Sequence, residues 1–311
     1  MKILKDAAGV SAARKMSRNE EKGMRKLIER LMIFFIGVPV FFALIFLLPF
    51  YRHLALNIAA ILFSAAAAFE LSNILEKKHI RISKIEAVIL GSIAPVAATL
   101  QVSFNFPQWI IPLFFMAGAS WALLSQAFTR SKNMENVINN VAGCFSALVY
   151  PAFFILWIVK MSIWENSGAV FLYFITVFMN DSTAWLTGTL FGKNNSKIFA
   201  ASPNKSVAGF IGGLFASMTV CVGAAWLFPF VLFSDEKNFS ALIVPAIVLG
   251  LVTGIFATLG DLAESAIKRS CDIKHSGRLM LERGGILDSV DSLSAAAPVF
   301  YLLYTILFYN T

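Results

Sequence analysis

Apolar residues run along this chain in long, nearly unbroken blocks separated by short polar stretches. The blocks cover about 31–50, 54–75, 85–104, 109–128, 137–159, 168–191, 206–234, 239–262 and 293–309. Most approach the ~20 residues that an α-helix needs to cross a bilayer's ~30 Å hydrocarbon core. A membrane β-barrel would show weaker alternating segments of ~10 residues, and none appear. The pattern predicts an all-α fold: a polytopic helical membrane protein with about nine transmembrane helices, the long seventh one open to a break. Polar residues divide the chain into a basic tail over 1–30, N-terminal membrane helices over 31–160 and a C-terminal membrane domain over 161–311, where the polar motifs concentrate. The tail reads as a topology-setting segment, or as an amphipathic helix lying on the membrane surface.

Composition agrees with that reading. Of the 311 residues, 58% are hydrophobic, 14% are charged and 30 are Phe, and the mean hydropathy is +0.73. A soluble domain of this length has no use for so much apolar surface. Cys144, Cys221 and Cys271 are scattered and form neither a metal-binding nor a disulfide pattern. The charged first 30 residues are unlike the short basic start of a signal peptide.

Charge sets the orientation, because Lys and Arg concentrate in cytoplasmic loops. A cytoplasmic N-terminus puts nine of them (1–30), four (76–84), two (129–136), three (192–205) and five (263–292) inside. Only Arg52, Lys160 and Lys237 of the chain's 26 then lie outside. The formal net charge of +8 thus faces anionic lipid headgroups. No basic segment carries the interleaved aromatic residues of a base-stacking platform, so nucleic acid is not an expected partner.

Acids inside apolar spans are costly and point to function. Glu70 and Glu86 lie near span ends, where reaching the interface is cheap, and a structural role is expected for both. Asp181 lies deeper, in FMNDSTAWLTGTLFGK with Asn180, Ser182 and Thr183 beside it, and suggests a polar cavity open to the cytoplasm. The next loop ends SPNKSVAGFIGG, residues 202–213, where Ser202 or Ser206 can cap a helix and Lys205 adds a cation. A helix start with free amides and a Lys suits an anion. Gly209 and Gly213 have the four-residue spacing of close membrane-helix packing.

The most charged stretch of the second half is GDLAESAIKRSCDIKHSGRLMLERGGILDSVDS, residues 260–292. It brings Asp261 and Glu264 together with Lys268, Arg269, Lys274, His275 and Arg283, and it ends in Gly284-Gly285 and an Asp288-x-x-Asp291 pair. If the chain is helical from 287 on, Asp288 and Asp291 share one face. Two convergent carboxylates suit a hard divalent cation such as Mg2+, which takes one or two carboxylates plus substrate phosphates and waters. The nearby cations suit phosphate oxygens.

These motifs resemble, in order, the signature of the phosphatidate cytidylyltransferases (CDP-diacylglycerol synthases). The resemblance rests on NDSTAWLTGTLFGK, SPNKSVAGFIGG, GDLAESAIKR and Gly284-Gly285-x-x-Asp288-x-x-Asp291, and covers residues 180–292. It implies an integral membrane enzyme that joins CTP to phosphatidic acid, giving CDP-diacylglycerol and pyrophosphate for phospholipid synthesis. It also implies a site with Mg2+ and a second metal ion. On that basis Asp288, Asp291 and Asp261 are expected to hold metal, and Lys268, Arg269 and Lys274 to neutralise phosphates. Ser202 and Lys205 are expected to bind nucleotide phosphate, and Asn180 and Asp181 to line the place where the lipid headgroup arrives.

The departures are specific. His275 stands where the family has Asp, and Ser289 where it has Arg in Asp-Arg-x-Asp. Leu281-Glu282-Arg283 replaces the family's Pro-Gly-His, Ala208 replaces a Glu, and Asn204 replaces a Lys. An imidazole at 275 admits softer ions such as Mn2+, and Arg283 is a candidate to supply the cation that Ser289 lacks. The expected partners are CTP, phosphatidic acid and membrane lipids, with a homodimer left open. Two alternatives compete: a CTP-dependent kinase of a polyprenol-type lipid alcohol, and a catalytically impaired homologue with a lipid-binding or scaffold role. The expected location is the cell membrane, with the site on the cytoplasmic side. Single cysteines placed by Lys237→Cys and Lys274→Cys test this orientation. An impermeant thiol reagent outside intact cells should modify the first and not the second; the reverse pattern would overturn the topology.

Overall fold

The computed structural model describes residues 37, 39–128, 135–192, 201–203, 205–232, 239–277 and 284–309. The basic tail and Arg283 lie outside the described residues. Among those residues eight helices are long and apolar enough to cross a membrane: α1 (Phe50–Glu76), α2 (Lys84–Phe104), α3 (Ile110–Ala127), α4 (Val137–Trp164), α5 (Ser167–Phe191), α6 (Val207–Leu227), α7 (Phe239–Ser270) and α8 (Leu287–Tyr309). Helices are the expected solution, because in lipid each backbone group must find its partner within the segment. Of the first of the nine expected spans, 31–50, residue 37 and residues 39–50 are described. Its described end contains the π-helical turn Ala43–Leu47, and Pro49, which has no N–H to donate, separates it from α1.

The α1–α2, α2–α4, α5–α6, α6–α7 and α7–α8 pairs carry most of the packing. Their contacts are close because small residues line them. At Gly250 on α7, an added Cβ would lie 2.7 Å from Met218 Cα of α6, so only glycine admits this approach. One core, between α1, α2 and α4, holds Leu71, Ile74, Ala94, Ala98 and Ile155. A second gathers Trp164, Tyr173, Phe174, Phe300 and Tyr304. There the hydroxyls of Tyr173 and Tyr304 donate to the carbonyls of Leu293 and Val231, so the two phenols are buried without unmet hydrogen bonds.

A polar knot closes one end of the bundle. Tyr51, Arg52 and His53 adopt left-handed backbone angles (φ 50°, 55° and 56°). The Arg52 guanidinium fastens this turn by donating to Glu165 Oε1 (2.7 Å), Val102 O (3.0 Å) and Asn105 Oδ1 (3.0 Å). Most of the described charged residues of the second half lie at the other end.

Several span boundaries differ from the sequence-based expectation, among them three in the second half. The seventh span, expected to reach 234, ends as an α-helix at Leu227 and continues after Phe228 as the short 3-10 turn Pro229–Leu232. The eighth continues to Ser270 instead of ending at 262, and the last begins at Leu287 instead of 293. Hydropathy falls at the first acid, but helical hydrogen bonding does not. Glu264, Ser265 and Lys268 sit on the inward face of α7 and are buried, so this helix end has a polar interior that needs partners. Within the 263–292 stretch, expected as a loop, residues 263–270 and 287–292 are therefore helix ends.

Candidate active site

Four helix ends meet at the charged end of the bundle around a cavity of about 630 Å³. From α5 come Asn180, Asp181 and Trp185; from the start of α6 come Ser206, Gly209 and Phe210, with Lys205 just before it. The end of α7 contributes Thr258, Asp261, Lys268 and Arg269, the turn after it Lys274 and His275, and the start of α8 Asp288, Asp291 and Ser292. The chain folds this way because α6 and α8 start, and α5 and α7 end, on the same side. Residues far apart in sequence are brought together by antiparallel packing alone.

Lys268 is the centre of the arrangement. Its ammonium pairs with Glu264 one turn earlier on α7 and with Asp288 on α8. The three side chains are 11%, 0% and 7% exposed, so this is a buried cluster of two acids around one base. Asp288 is held from the other side as well. Its Oδ2 accepts from the Ser276 N–H (3.0 Å), the Ser276 hydroxyl (2.9 Å) and the Gly285 N–H (2.8 Å). Charge-assisted bonds of this kind fix a carboxylate in both position and direction. A helical start at Leu287 also puts Asp288 and Asp291 on the cavity, as their three-residue spacing requires.

A second ion pair joins Lys205 to Asp261 Oδ2 at 2.7 Å. Deeper in, the buried Asp291 accepts the Ser292 N–H (2.6 Å). Asp181 accepts from the Ser292 hydroxyl and from Asn180 Nδ2, each at 3.4 Å. Arg269, Lys274 and His275 are exposed at the mouth. The cavity thus has carboxylates at its base and cations at its rim. Phosphates drawn in by the rim would meet the negative base, so the base needs a cation of its own.

Among the described residues no three His, Cys, Asp or Glu side chains are drawn together as a ready-made metal site. Mg2+ does not require one, because one or two carboxylates with substrate phosphates and waters complete its shell. The hard oxygens of Asp261 and Asp291, beside a half-buried Asp181, fit such an ion.

Most of the residues expected from sequence converge here, but not all. Ser202 is not on the cavity wall; its carbonyl accepts the Lys205 N–H (3.1 Å) and so shapes the turn that presents that lysine. The α6 cap is Ser206, whose side chain accepts from the Gly209 N–H (3.1 Å). Arg283 lies outside the described residues. Sequence reasoning left out Ser276 and Ser292 and gave Glu264 no role. Glu264 was findable, since an acid four residues before a Lys near the end of an apolar helix pairs on one face. Glu86, half-buried, accepts from the Trp121 indole (2.9 Å), in keeping with the structural role expected. Glu70 was expected at the membrane interface; instead it is 2% exposed, because Ser276 and the start of α8 close over it.

A helical membrane protein with a charged cavity sunk into one end of its bundle is the class that this fold and site define. Residues 28–307 match the profile of the cytidylyltransferase family, and the chain belongs to that family. It is similar to phosphatidate cytidylyltransferases from several organisms. That of Staphylococcus aureus is 31% identical over 195 residues, covering 62% of this chain and 70% of the relative. That of Staphylococcus haemolyticus is 29% identical over 242 residues, 76% of this chain and 87% of the relative. That of Thermotoga maritima is 30% identical over 223 residues, 71% and 77%.

Removing the shared base should expose the energetic role of the cluster. Lys268→Ala leaves two buried acids without their cation and should destabilise the fold by about 3–5 kcal/mol. Arg269→Ala, at an exposed neighbour, should change stability by no more than ~0.5 kcal/mol. Denaturant unfolding in detergent micelles reads both, and equal effects would show that Lys268 is not the cluster's essential partner.

Proposed function

We propose that this protein is a CTP:phosphatidate cytidylyltransferase that makes CDP-diacylglycerol and pyrophosphate in the membrane. The observation that carries the reading is the cavity itself: Asp261, Asp288 and Asp291 face Lys205, Lys268 and Lys274 at one end of a membrane bundle, in a chain of the cytidylyltransferase family. The excess of Lys and Arg in the segments at that end supports a cytoplasmic placement. CTP then arrives from water, and the lipid from the bilayer. The cavity wall has apolar Ala184, Trp185 and Phe210 as well as its charged groups, which suits a substrate with both acyl chains and a phosphate.

A phosphatidate oxygen attacks the α-phosphorus of CTP; a new P–O bond forms, the bond from Pα to the bridging oxygen breaks, and pyrophosphate leaves. A phosphate monoester is already anionic, so a strong general base is not required. The barrier comes from repulsion between two anions and from charge building on the leaving group. Lys205, Arg269 and Lys274 neutralise the triphosphate at the rim, and Lys268, paired with Glu264 and Asp288, lines the cavity as a buried cation. Asn180 and Asp181 line the inner wall at the lipid headgroup. Asp261 and Asp291 would hold Mg2+, with Asp288, expected from sequence as a ligand but with its oxygens engaged by Lys268, Ser276 and Gly285, held beside them, and with His275 a further candidate ligand that makes Mn2+ acceptable. The metal would polarise the phosphates and offset the charge developing on pyrophosphate.

Purified protein with Mg2+, phosphatidic acid and CTP labelled either in cytidine or at the γ-phosphate tests this function. Cytidine label should enter the lipid with release of pyrophosphate, and Asp291→Asn should lose that activity while remaining folded. γ-Label in lipid would instead identify a lipid kinase. Absence of both labels with any divalent metal would favour the scaffold alternative.

A further inference from the structure

Glu70 lies on α1, a helix that contributes nothing to the cavity wall, yet its carboxyl group is buried against the turn that carries the site. Its Oε2 accepts the Ser276 hydroxyl (3.0 Å) and the Leu287 N–H (2.9 Å). The second is one of the first-turn amides of α8 that have no partner within the helix. Ser276 is also the residue that holds Asp288, through its N–H and its hydroxyl. A hydroxyl has a single hydrogen, so Glu70 and Asp288 share it. The chain is thus continuous from Glu70 through Ser276 to Asp288 and on to Lys268 and Glu264.

The turn is shaped around this carboxyl group. A Cβ added at Gly277 would collide with the Glu70 carboxyl oxygen, and one at Gly285 with that carboxyl group and the Ser276 hydroxyl. Gly285 is at the same time the residue whose N–H holds Asp288. Two glycines therefore let one buried acid reach both the turn and the helix start that follows it. An acid that served packing alone would need neither the serine shared with Asp288 nor the first amide of the helix that carries Asp288 and Asp291.

We propose that Glu70 is a positioning residue for the reaction: by holding Ser276 and the first turn of α8, it sets Asp288, and through it Lys268, for CTP. The kinetic part rests on the cytidylyltransferase reading above; the hold itself does not. Losing hydrogen bonds to a carboxylate predicts a change on the order of tenfold to a hundredfold. Glu70→Ala should lower kcat/KM for CTP by that factor and leave the KM for phosphatidate within about twofold. Glu70→Gln, which keeps an acceptor oxygen, should recover most of the loss. Combining Glu70→Ala with Ser276→Ala should add little to the larger single effect, because the two act through one contact.

Amide hydrogen exchange over residues 284–292 reads the hold without any turnover. It should be at least about tenfold faster in Glu70→Ala, with exchange in α5 and α6 unchanged. Unchanged exchange over 284–292 would overturn the proposal, whatever the activity. So would equal impairment in Glu70→Ala and Glu70→Gln with both substrates affected alike, which is the mark of a loosened bundle. Faster exchange in a protein whose wild type makes no CDP-lipid would leave the hold standing and remove the cytidylyltransferase reading instead.

Discussion

A lysine buried between two acids governs this structure. Lys268 joins Glu264 on its own helix to Asp288 on the next, and this fixes where α7 and α8 stand relative to each other at the charged end. A buried ion pair is weak support for stability, since desolvation offsets much of the attraction, and removing one member leaves an uncompensated charge. With two acids for one base, the cluster is a poor choice for stability alone. In the function proposed for this protein, the cluster would keep a cation and carboxylates in place, away from bulk water.

The remainder of the bundle makes that placement affordable. Close packing at glycines such as Gly250 brings α6 and α7 together, and the aromatic core around Tyr173 and Tyr304 ties α5 and α8 to their neighbours. The Arg52 knot closes the far end. Rigid helices therefore carry the functional side chains. Only the turn between α7 and α8 is non-helical among the described parts of the 263–292 stretch, and Glu70 reaches across from α1 to hold it.

Much of this was legible in the sequence, and the failures share one cause. Apolar blocks located the spans, and the order of motifs located Asp181, Lys205, Asp261, Lys268, Asp288 and Asp291, all of which line the cavity. Hydropathy, however, marks where a helix leaves lipid-like composition and not where its hydrogen bonding stops. It therefore ended α7 eight residues early, at 262 against Ser270, and started α8 late, at 293 against Leu287. Glu70 was misplaced for a related reason. Its distance from a span end suggested the interface, while the partners that bury it lie more than 200 positions away (|i−j| of 206 and 217), and no local pattern contains them. Ser202 looked like a cap because two serines flank the same turn; backbone geometry gave the capping role to Ser206.

The most direct test replaces the whole cluster by neutral side chains of similar size: Glu264→Gln, Lys268→Met and Asp288→Asn in one protein. Thermal unfolding in detergent and CDP-lipid formation are measured on the same sample. If the buried charges are kept for chemistry, the triple variant will fold with a Tm equal to or above that of the wild type and will form no CDP-lipid. A variant that retains activity, or one that no longer folds, would contradict this account.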